Sequence, residues 1–446
     1  MKKNVLVIGQ GGREHAIAWK ISRSPLVEKV YVCPGNGGTA LDASLENINI
    51  NLQDSNELIK FAKEKEIDLT IIGPEGPLSD GIVNDFLDAK LNIFGPTKEF
   101  AILESSKVFS KEFMENYNIP TAKYRMFSNP DEAKKYCLNR NHPLVIKADG
   151  LAAGKGVVVS SSLTETNQAI DAQLSSNHSN HIVVEEFLKG QELSAIYIAN
   201  YQGCSHEIGL HWTKDYKSRD EYNTGPNTGG MGAVSHPLCY EHKNSVFKLH
   251  LDIEKIMVQT ITGINEYNKH KKIGYLGFLY LGLMINNNNE IKVLEYNCRL
   301  GDPETQNLML TLHNNDTDLM ELILDNSKSI KDFNLSRIDD DNNNFCCTIV
   351  LAAKGYPGDY KKGFYIDISK INQNDQLIIF HAGTTIENGK LMSIGGRILT
   401  VNAYAEDKED AIKIAYDNIE KINIYEDEGY EIKNQNLVFY RDDIGN

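Results

Sequence analysis

The sequence lacks the features that mark secreted and membrane-spanning proteins. Its seven cysteines are scattered without a Cys-x-x-Cys pair, so we expect reduced thiols, no zinc site and no disulfide framework. No apolar run is long enough to cross a bilayer, and the chain begins with a strand pattern instead of a signal peptide. We therefore expect a cytoplasmic protein that has no membrane partner.

Positive charge is also scarce. The 46 lysines and arginines are outnumbered by 61 acidic residues, which gives a formal net charge of −15. This balance disfavours non-specific binding of nucleic acids, although it is compatible with a local basic pocket for phosphates. The 446 residues are 41% hydrophobic and 24% charged, a globular composition with room for about three structural units. We expect small-molecule partners and no nucleic acid.

The most informative segment is a glycine-rich loop between two apolar runs, within residues 143–160. The flanking runs predict two strands, and the glycines would let the connecting main chain approach an anion closely. It is not a Walker A loop, because only three residues separate the first two glycines and a third glycine replaces the Ser or Thr that binds magnesium. A hairpin with solvated lysines is the alternative. The candidate nucleotide-phosphate residues in this segment are Lys147, Gly150, Gly154, Lys155 and Gly156.

The first hundred residues alternate between strand and helix patterns, which predicts a doubly wound α/β domain with a parallel sheet. We predict strands at 5–8, 29–32, 68–72 and 91–94 and helices at 13–23 and 58–65. The first turn, residues 9–15, could place a phosphate at a helix N-terminus. It is not a full dinucleotide fingerprint, since Glu14 stands where the third glycine belongs. A turn needed only for packing is the alternative. We expect His15 to be a helix-surface or packing residue and not a general base.

Two later segments also carry chemistry. A predicted strand running through Glu185 could offer its end to an adenine edge, with Glu192 available for ribose hydroxyls. Residues 224–235 are so rich in Gly, Thr and Asn that we predict a long, ordered functional loop, with disorder as the alternative.

The segment 291–306 contains a second anchor. In a strand, Glu295 and Asn297 face the same side, and Arg299 joins them if the strand continues that far. Carboxylate and amide oxygens suit magnesium, and the guanidinium could neutralise charge on a transferring phosphoryl group. The alternative is the polar face of an exposed strand.

Together these segments resemble the ATP-grasp superfamily and, within it, the family of phosphoribosylamine–glycine ligases. The resemblance covers nearly the whole chain. The motifs that carry it lie at 9–15, 34–36, 73–75, 145–156, 185–188, 224–232 and 295–304, followed by 355–358, 381–384 and 395–397.

The resemblance implies an ATP-dependent ligation of glycine to 5-phosphoribosylamine through a glycyl phosphate, within purine biosynthesis. It implies ATP and Mg²⁺ as cofactors, with Mn²⁺ as a substitute. It assigns the catalytic roles to Arg299, Lys147 and Asp302 and the metal to Glu295 and Asn297. The nucleotide set gains Lys107, Glu185, Phe187, Leu188 and Glu192. The substrate set is Gly11, Gly12, Arg13, Glu75, Asp215, Thr228, Gly229, Gly230 and Arg397.

Two departures from the family pattern are visible. Gln10 stands where an asparagine is expected in the first turn, and the strand at 276–285 supplies no carboxylate for a second metal. Two rivals remain open: an ATP-grasp enzyme with another acceptor, and an NAD-dependent oxidoreductase built on the first turn. A non-catalytic nucleotide sensor is also conceivable.

The expected architecture is a multidomain chain of α/β and α+β units. An N-terminal α/β domain spans residues 1–103, and a central ATP-grasp unit spans 104–320 with a β lid at about 124–192. A C-terminal α+β domain spans 321–446. We expect a monomer, with a dimer as the alternative.

Overall fold

The computed structural model describes residues 2–151, 156–175, 180–200, 206–235, 243–271, 273–324, 344–426 and 436–446. Side chains are described in these ranges except at 206–208, 243–247 and 271. Within them, no helix is both long enough and apolar enough to cross a membrane.

The N-terminal region is a five-stranded parallel sheet in the order β3-β2-β1-β4-β5 with helices packed on it. Its strands are β1 Lys3–Gly9, β2 Val27–Pro34, β3 Leu45–Asn47, β4 Leu69–Ile72 and β5 Ile93–Phe94. Its helices are α1 Gly12–Ser22, α2 Gly37–Leu41, α3 Ser55–Glu64, α4 Glu75–Asp80, α5 Ile82–Asp88 and α6 Lys98–Ser105. Val5 to Ile8 are fully buried, as expected for a parallel strand covered on both faces. The predicted doubly wound sheet is therefore confirmed.

A helix and a small antiparallel sheet follow. They comprise α7 Lys107–Asn116, β6 Tyr124–Phe127, α8 Pro130–Cys137, β7 Leu144–Ala148, β8 Val157–Ser160, α9 Leu163–Ser175 and β9 Ile182–Glu186. The strand order is β6-β9-β7-β8, with α8 and α9 packed on one face around Phe127, Ile146 and Ile170. The pair β7 and β8 brackets the glycine-rich loop, as the two apolar runs predicted.

The largest sheet has ten strands and joins the central and C-terminal parts of the chain. The central strands are β10 Gln191–Asn200, β11 His206–Gly209, β12 Thr213–Asp215, β15 Gly232–Ser235, β16 Leu276–Ile285 and β17 Ile291–Asn297. Between β12 and β15, β13 Ser218–Asp220 and β14 Thr224–Asn227 form a separate two-stranded ribbon. Helices α10 Lys243–Tyr267, α11 Glu304–Asn314 and α12 Leu319–Leu324 complete this part. The segment 224–235 is thus mostly strand and not a long loop.

The C-terminal part continues the same sheet. Its elements are β18 Phe345–Ala353, β19 Tyr365–Asp367, β20 Leu377–His381, β21 Thr384–Glu387, β22 Lys390–Ser393, β23 Arg397–Ala405, α13 Lys408–Ile419, β24 Asn423–Tyr425 and β25 Val438–Phe439. The strand order β17-β16-β10-β12-β15-β18-β23-β20 crosses from one part to the other where β15 pairs with β18. A second sheet, β21-β22-β19-β24, packs nearby.

A buried pair of histidines joins the N-terminal and C-terminal parts. His15 on α1 accepts a hydrogen bond at Nδ1 from the main-chain N–H of His381, at 2.9 Å, and its ring meets Phe380 edge-on. The His381 ring lies 3.2 Å from the Thr384 hydroxyl. Burial lowers the pKa of His15 and of His381 to about 3. His15 is therefore a packing residue, as expected.

This pair predicts acid sensitivity. The unfolded chain takes up protons near pH 6.5, whereas the folded chain excludes them from His15 and His381 until about pH 3. Stability is therefore fully present above pH 6.5 and falls as the pH decreases, by up to about 1.4 kcal/mol per pH unit for each histidine. We expect His381→Asn to flatten this slope in urea unfolding between pH 4 and 6. The exposed His270→Asn control should keep the wild-type slope, and an unchanged slope in His381→Asn would contradict the account.

Candidate active site

Two lysines share one buried carboxylate near the strand that precedes the glycine-rich loop. Lys147 lies on β7 and Lys111 on α7, and each Nζ is 3.1 Å from Glu185 Oε1 on β9. Lys147 also donates to the carbonyl of Leu294 at 3.1 Å. Because Lys147 is only 6% exposed, it is not a solvated hairpin lysine. Burial lowers the pKa of Lys111 to about 8, although Glu185 opposes the shift.

The start of the glycine-rich loop is fastened to the N-terminus of α7. One Asp149 carboxylate oxygen accepts from the hydroxyl of Ser106 and from the N–H of Val108, each at 3.1 Å. Lys107 Nζ donates to the carbonyl of Gly150 at 2.8 Å. Burial, with added repulsion from Lys147, lowers the pKa of Lys107. The lysines at 107, 111 and 147 thus converge on one buried region.

Strand β17 presents the predicted polar face. Glu295, Asn297 and Arg299 are half-buried, whereas the alternating Tyr296 and Cys298 are buried. The strand ends at Asn297, so that Arg299 lies just beyond it. Glu295 pairs with Gly282 of β16, where an added Cβ would lie 3.2 Å from Glu295 Cγ. The Glu295 side chain therefore occupies the space that a side chain at position 282 would need.

Lys217 also approaches the Glu295 carboxylate, and it pairs with Glu192. Its Nζ is 3.1 Å from Glu192 Oε2 and 3.8 Å from Glu295 Oε1. Burial opposes its charge, but Asp215 and Glu192 outweigh burial and raise the pKa of Lys217. For Glu295, burial disfavours ionisation, but Lys217 and Lys147 outweigh it and lower its pKa. The pKa of Asp215 is raised by burial, an effect that Lys217 opposes.

Arg299 joins this face to the first domain. Its Nε is 3.1 Å from Glu75 Oε2, and one terminal nitrogen is 2.9 Å from Glu104 Oε1. Arg13 approaches the same Glu75 oxygen at 3.7 Å and donates to the carbonyl of Leu300 at 3.1 Å. Burial favours the neutral form of Glu75, but Arg299 and Arg13 prevail and lower its pKa to about 2. Residues predicted from separate motifs therefore form one network of ion pairs.

The first turn is filled by its own glutamate. Glu14 Oε2 accepts from the N–H of Gly11 at 2.6 Å, and Glu14 Oε1 pairs with Arg13 Nε at 2.6 Å. A Cβ at Gly9 or at Gly73 would overlap the Glu14 side chain. This geometry favours the packing explanation of the turn, because the N–H of Gly11 is already engaged.

A third cluster joins the loop after β17 and the turn after β14 to the C-terminal part. Arg397 pairs with Asp302 Oδ2 at 3.0 Å and donates to the carbonyls of Asp302 and Gly229 at 2.7 and 2.5 Å. The N–H of Gly229 donates to the hydroxyl of Tyr356 at 2.9 Å. Asp302 also accepts from the Gln306 amide at 2.8 Å. Arg397 therefore fixes the glycine turn after β14.

The other predicted residues are placed as follows. Thr228 donates to the carbonyl of Lys217 through its N–H and its hydroxyl, and its hydroxyl accepts from Gly230. Phe187 is exposed and Leu188 half-buried at the end of β9, while Gly156 accepts from the N–H of Ala148. Gly154 and Lys155 lie outside the described residues.

Several residues of the site were missed from the sequence. Lys111 could have been found, because it lies one helical turn after Lys107 on the same face. Lys217 and Glu104 gave no local signal, since only the fold brings them to Glu295 and Arg299. Across the described ranges, no group of three or more His, Cys, Asp or Glu is arranged to hold a metal ion. Glu295 and Asn297 would thus need ligands from a bound substrate or water.

Comparison with known proteins extends these observations to the whole chain. The family models described as phosphoribosylglycinamide synthetase match residues 3–104 (N domain), 105–305 (ATP-grasp domain) and 346–446 (C domain). The phosphoribosylamine–glycine ligase of Clostridium acetobutylicum is 41% identical over 446 residues, covering 99% of both chains. The enzyme of that name in Escherichia coli K12 is 43% identical over 420 residues, covering 92% of this chain and 93% of the relative.

Solved structures with the same fold include a member of this family. The crystal structure of phosphoribosylamine–glycine ligase from Thermotoga maritima is similar with a TM-score of 0.76 and 33% identity, covering 99% of this chain and all of that one. A biotin carboxylase from Campylobacter jejuni has a TM-score of 0.71 at 14% identity, covering 95% of this chain and 92% of that one, and so shares the fold alone. The chain belongs to the phosphoribosylglycinamide synthetase family, with an ATP-grasp domain at its centre.

Proposed function

We propose that the chain ligates glycine to 5-phosphoribosylamine at the expense of ATP, yielding glycinamide ribonucleotide, ADP and phosphate. The glycine carboxylate attacks the γ-phosphorus of ATP, and the amine of phosphoribosylamine then displaces phosphate from the resulting glycyl phosphate. The observation that carries this proposal is the contact of Arg299 with Glu75. It joins the polar face of β17 to the N-terminal sheet edge, so that a phosphoryl site and a second substrate site adjoin.

The nucleotide half of the site is assigned to the lysine cluster. Lys107 and Lys147 hold the phosphates, and the loop that contains Gly150, Gly154, Lys155 and Gly156 covers them. Glu185, Phe187, Leu188 and Glu192 surround the adenosine. Lys147 can turn to a phosphate while Lys111 stays with Glu185, so that both anions keep a positive partner. The three lysines supply this compensation in a region shielded from water.

A divalent metal fits the face of β17. Glu295 and Asn297 offer one carboxylate and one amide oxygen on the same side of the strand, and the lowered pKa of Glu295 keeps that ligand ionised. We assign the metal as Mg²⁺, with Mn²⁺ as a substitute; it would supply charge compensation to the phosphates. Arg299 is the fixed guanidinium that stabilises the transferring phosphoryl group.

We assign the phosphoribosylamine site to the region between β17 and the N-terminal domain. Glu75, Asp215 and Thr228 line it, together with the turn at Gly229 and Gly230. We propose Gly11, Gly12 and Arg13 as neighbours of the phosphoribosyl group. In this proposal, Arg397 and Asp302 act by holding the turn at 229–230, which agrees with their engagement in protein contacts.

An isotope experiment tests the chemistry. With glycine labelled by ¹⁸O in its carboxylate, one labelled oxygen should appear in the released phosphate, because that oxygen attacks the γ-phosphorus and leaves with it. The product amide should keep the other. Unlabelled phosphate formed in the presence of both substrates would rule out the glycyl phosphate route.

The closeness of Gly282 to Glu295 gives a prediction about the metal. Gly282→Ala places a methyl 3.2 Å from Glu295 Cγ, so the carboxylate must move. We expect the metal concentration for half-maximal activity to rise about 10-fold. Gly209→Ala is a matched control: Gly209 lies on β11, and its added Cβ would lie 3.3 Å from the Tyr197 ring on β10. Equal metal dependence in the two variants would refute this role of Gly282.

The cellular setting is part of the same proposal. We propose a cytoplasmic enzyme that acts as a monomer on small molecules, without nucleic-acid or membrane partners. We also propose its division into units at 1–103, 104–320 and 321–446, with a lid at about 124–192.

A further inference from the structure

A buried arginine of the C-terminal segment has a partner at each of its three guanidinium nitrogens. Arg441 is 2% exposed, and its Nε and one terminal nitrogen donate to the two oxygens of Asp443 at 2.7 and 2.6 Å. The other terminal nitrogen donates to the carbonyl of Ser218 at 3.1 Å. Both terminal nitrogens lie 3.3 Å from the Asn223 amide oxygen. Burial of an arginine is costly without such partners, so the segment is built around these contacts.

These contacts hold the ribbon of β13 and β14 at its tip. Tyr222 and Asn223 have φ values of +54° and +57°. These values lie in the left-handed region, which residues other than glycine adopt less readily. Asp443 accepts from the N–H of Tyr222 at 2.8 Å, while Arg441 binds the side chain of Asn223. The strained tip therefore persists because each of its two residues is held by the C-terminal segment.

The same segment also holds the base of the ribbon. The Arg441 guanidinium lies 5.0 Å from the centre of the Tyr216 ring, and the N–H of Gly445 donates to the Tyr216 hydroxyl at 3.0 Å. The Tyr416 hydroxyl on α13 donates to the carbonyl of Arg441 at 2.8 Å. The C-terminal segment is thus tied to α13 on one side and to the ribbon on the other.

Lys217 lies between Tyr216 and Ser218, and the C-terminal segment contacts both of these neighbours. Tyr216 and Ser218 are both held, and the ammonium of Lys217 extends to Glu192 and Glu295. The carbonyl of Lys217 accepts from the N–H and hydroxyl of Thr228 at 2.7 and 2.9 Å. A displacement of the ribbon would therefore move the ammonium relative to the carboxylate assigned to the metal.

We infer that Arg441, with Asp443, is a positioning residue that fixes β13 and β14 together with their flanking residues (216–230, from here on called the ribbon), and thereby sets the place of the Lys217 ammonium beside Glu295. The kinetic part of this inference rests on the proposed ligation, whereas the contact with the ribbon does not. The C-terminus then acts on the reaction without touching the substrates.

Proteolysis tests the contact independently of activity. Trypsin cuts after Lys217 and Arg219, which lie in the ribbon. We expect Arg441→Gln and the milder Asp443→Asn to be cut there at least about 5-fold faster, because the ribbon opens locally. The exposed neighbour Asp442→Asn is the matched control and should be cut at the wild-type rate. Wild-type cleavage rates in both test variants would overturn the inference.

A double-mutant cycle tests the action through Lys217. In the native background, Arg441→Gln should lower kcat/KM for ATP about 10-fold, because a small displacement of a charged group is costly in an aligned site. In a Lys217→Met background the same change should cost less than about 2-fold, since its target is gone. An equal loss in both backgrounds would overturn the positioning role. A wild-type enzyme without glycine-dependent turnover would refute the proposed function, and the proteolysis result would still decide the contact.

Discussion

Glu295→Ala is expected to lower kcat at least ~100-fold, because it removes the carboxylate that we propose would hold the divalent metal, whose positive charge would compensate the phosphates. The loss should appear in kcat/KM for ATP as well. It should not be recovered by saturating nucleotide, since the missing interaction belongs to the reacting state. Steady-state release of ADP at several metal concentrations measures both quantities.

The control for this change lies in the same hairpin. Glu290 is an exposed carboxylate in the turn between β16 and β17, where it accepts from the Asn286 amide. Glu290→Ala should retain kcat within about 2-fold, because a surface substitution rarely affects a distant site. A near-normal rate in Glu295→Ala would contradict the assignment of Glu295 as a metal ligand.

Lys147→Ala is also expected to reduce turnover at least ~100-fold, because it removes a fixed positive charge from the phosphates in the transition state. The structure adds a second consequence. Glu185 would lose one of its two lysines, so the buried carboxylate would be only partly compensated, and stability should fall by about 2–3 kcal/mol. Turnover and thermal unfolding are measured on the same preparation.

A double variant separates these two effects. Lys147→Ala with Glu185→Gln leaves one buried charge, Lys111, beside a neutral amide, so that stability should recover only in part while turnover stays low. The half-buried Lys134→Ala, which breaks an ion pair between α8 and Asp171 on α9, should leave both quantities close to wild type. Restored turnover in the double variant would show that Lys147 acts only through Glu185.

The local patterns predicted most of the architecture. The strands around Val5 and Ile71 and the strand pair that brackets the glycine-rich loop follow from apolar periodicity, which is a local property. The shared face of Glu295 and Asn297 follows from the two-residue repeat of a strand, whereas Arg299 lies beyond the end of β17. Family resemblance then linked segments that the patterns alone left separate.

The remaining features depend on contacts between distant segments. The continuation of the central sheet through β15 and β18 joins residues more than a hundred positions apart, and no local pattern encodes that pairing. The same is true of Lys217 beside Glu295 and of Arg441 beneath the ribbon. Glu14 shows both cases. The sequence reveals that Glu14 does not fit a dinucleotide-binding motif. Its role in filling the first turn is visible only in the fold, where Gly73 comes close to its side chain.

The most direct test of the central claim is the release of phosphate from ATP in the presence of glycine and freshly made phosphoribosylamine, with each omitted in turn. The account predicts rapid release only when both are present, in equal amounts with glycinamide ribonucleotide. Release that depends on neither substrate, or release with glycine replaced by another acid at the same rate, would contradict it.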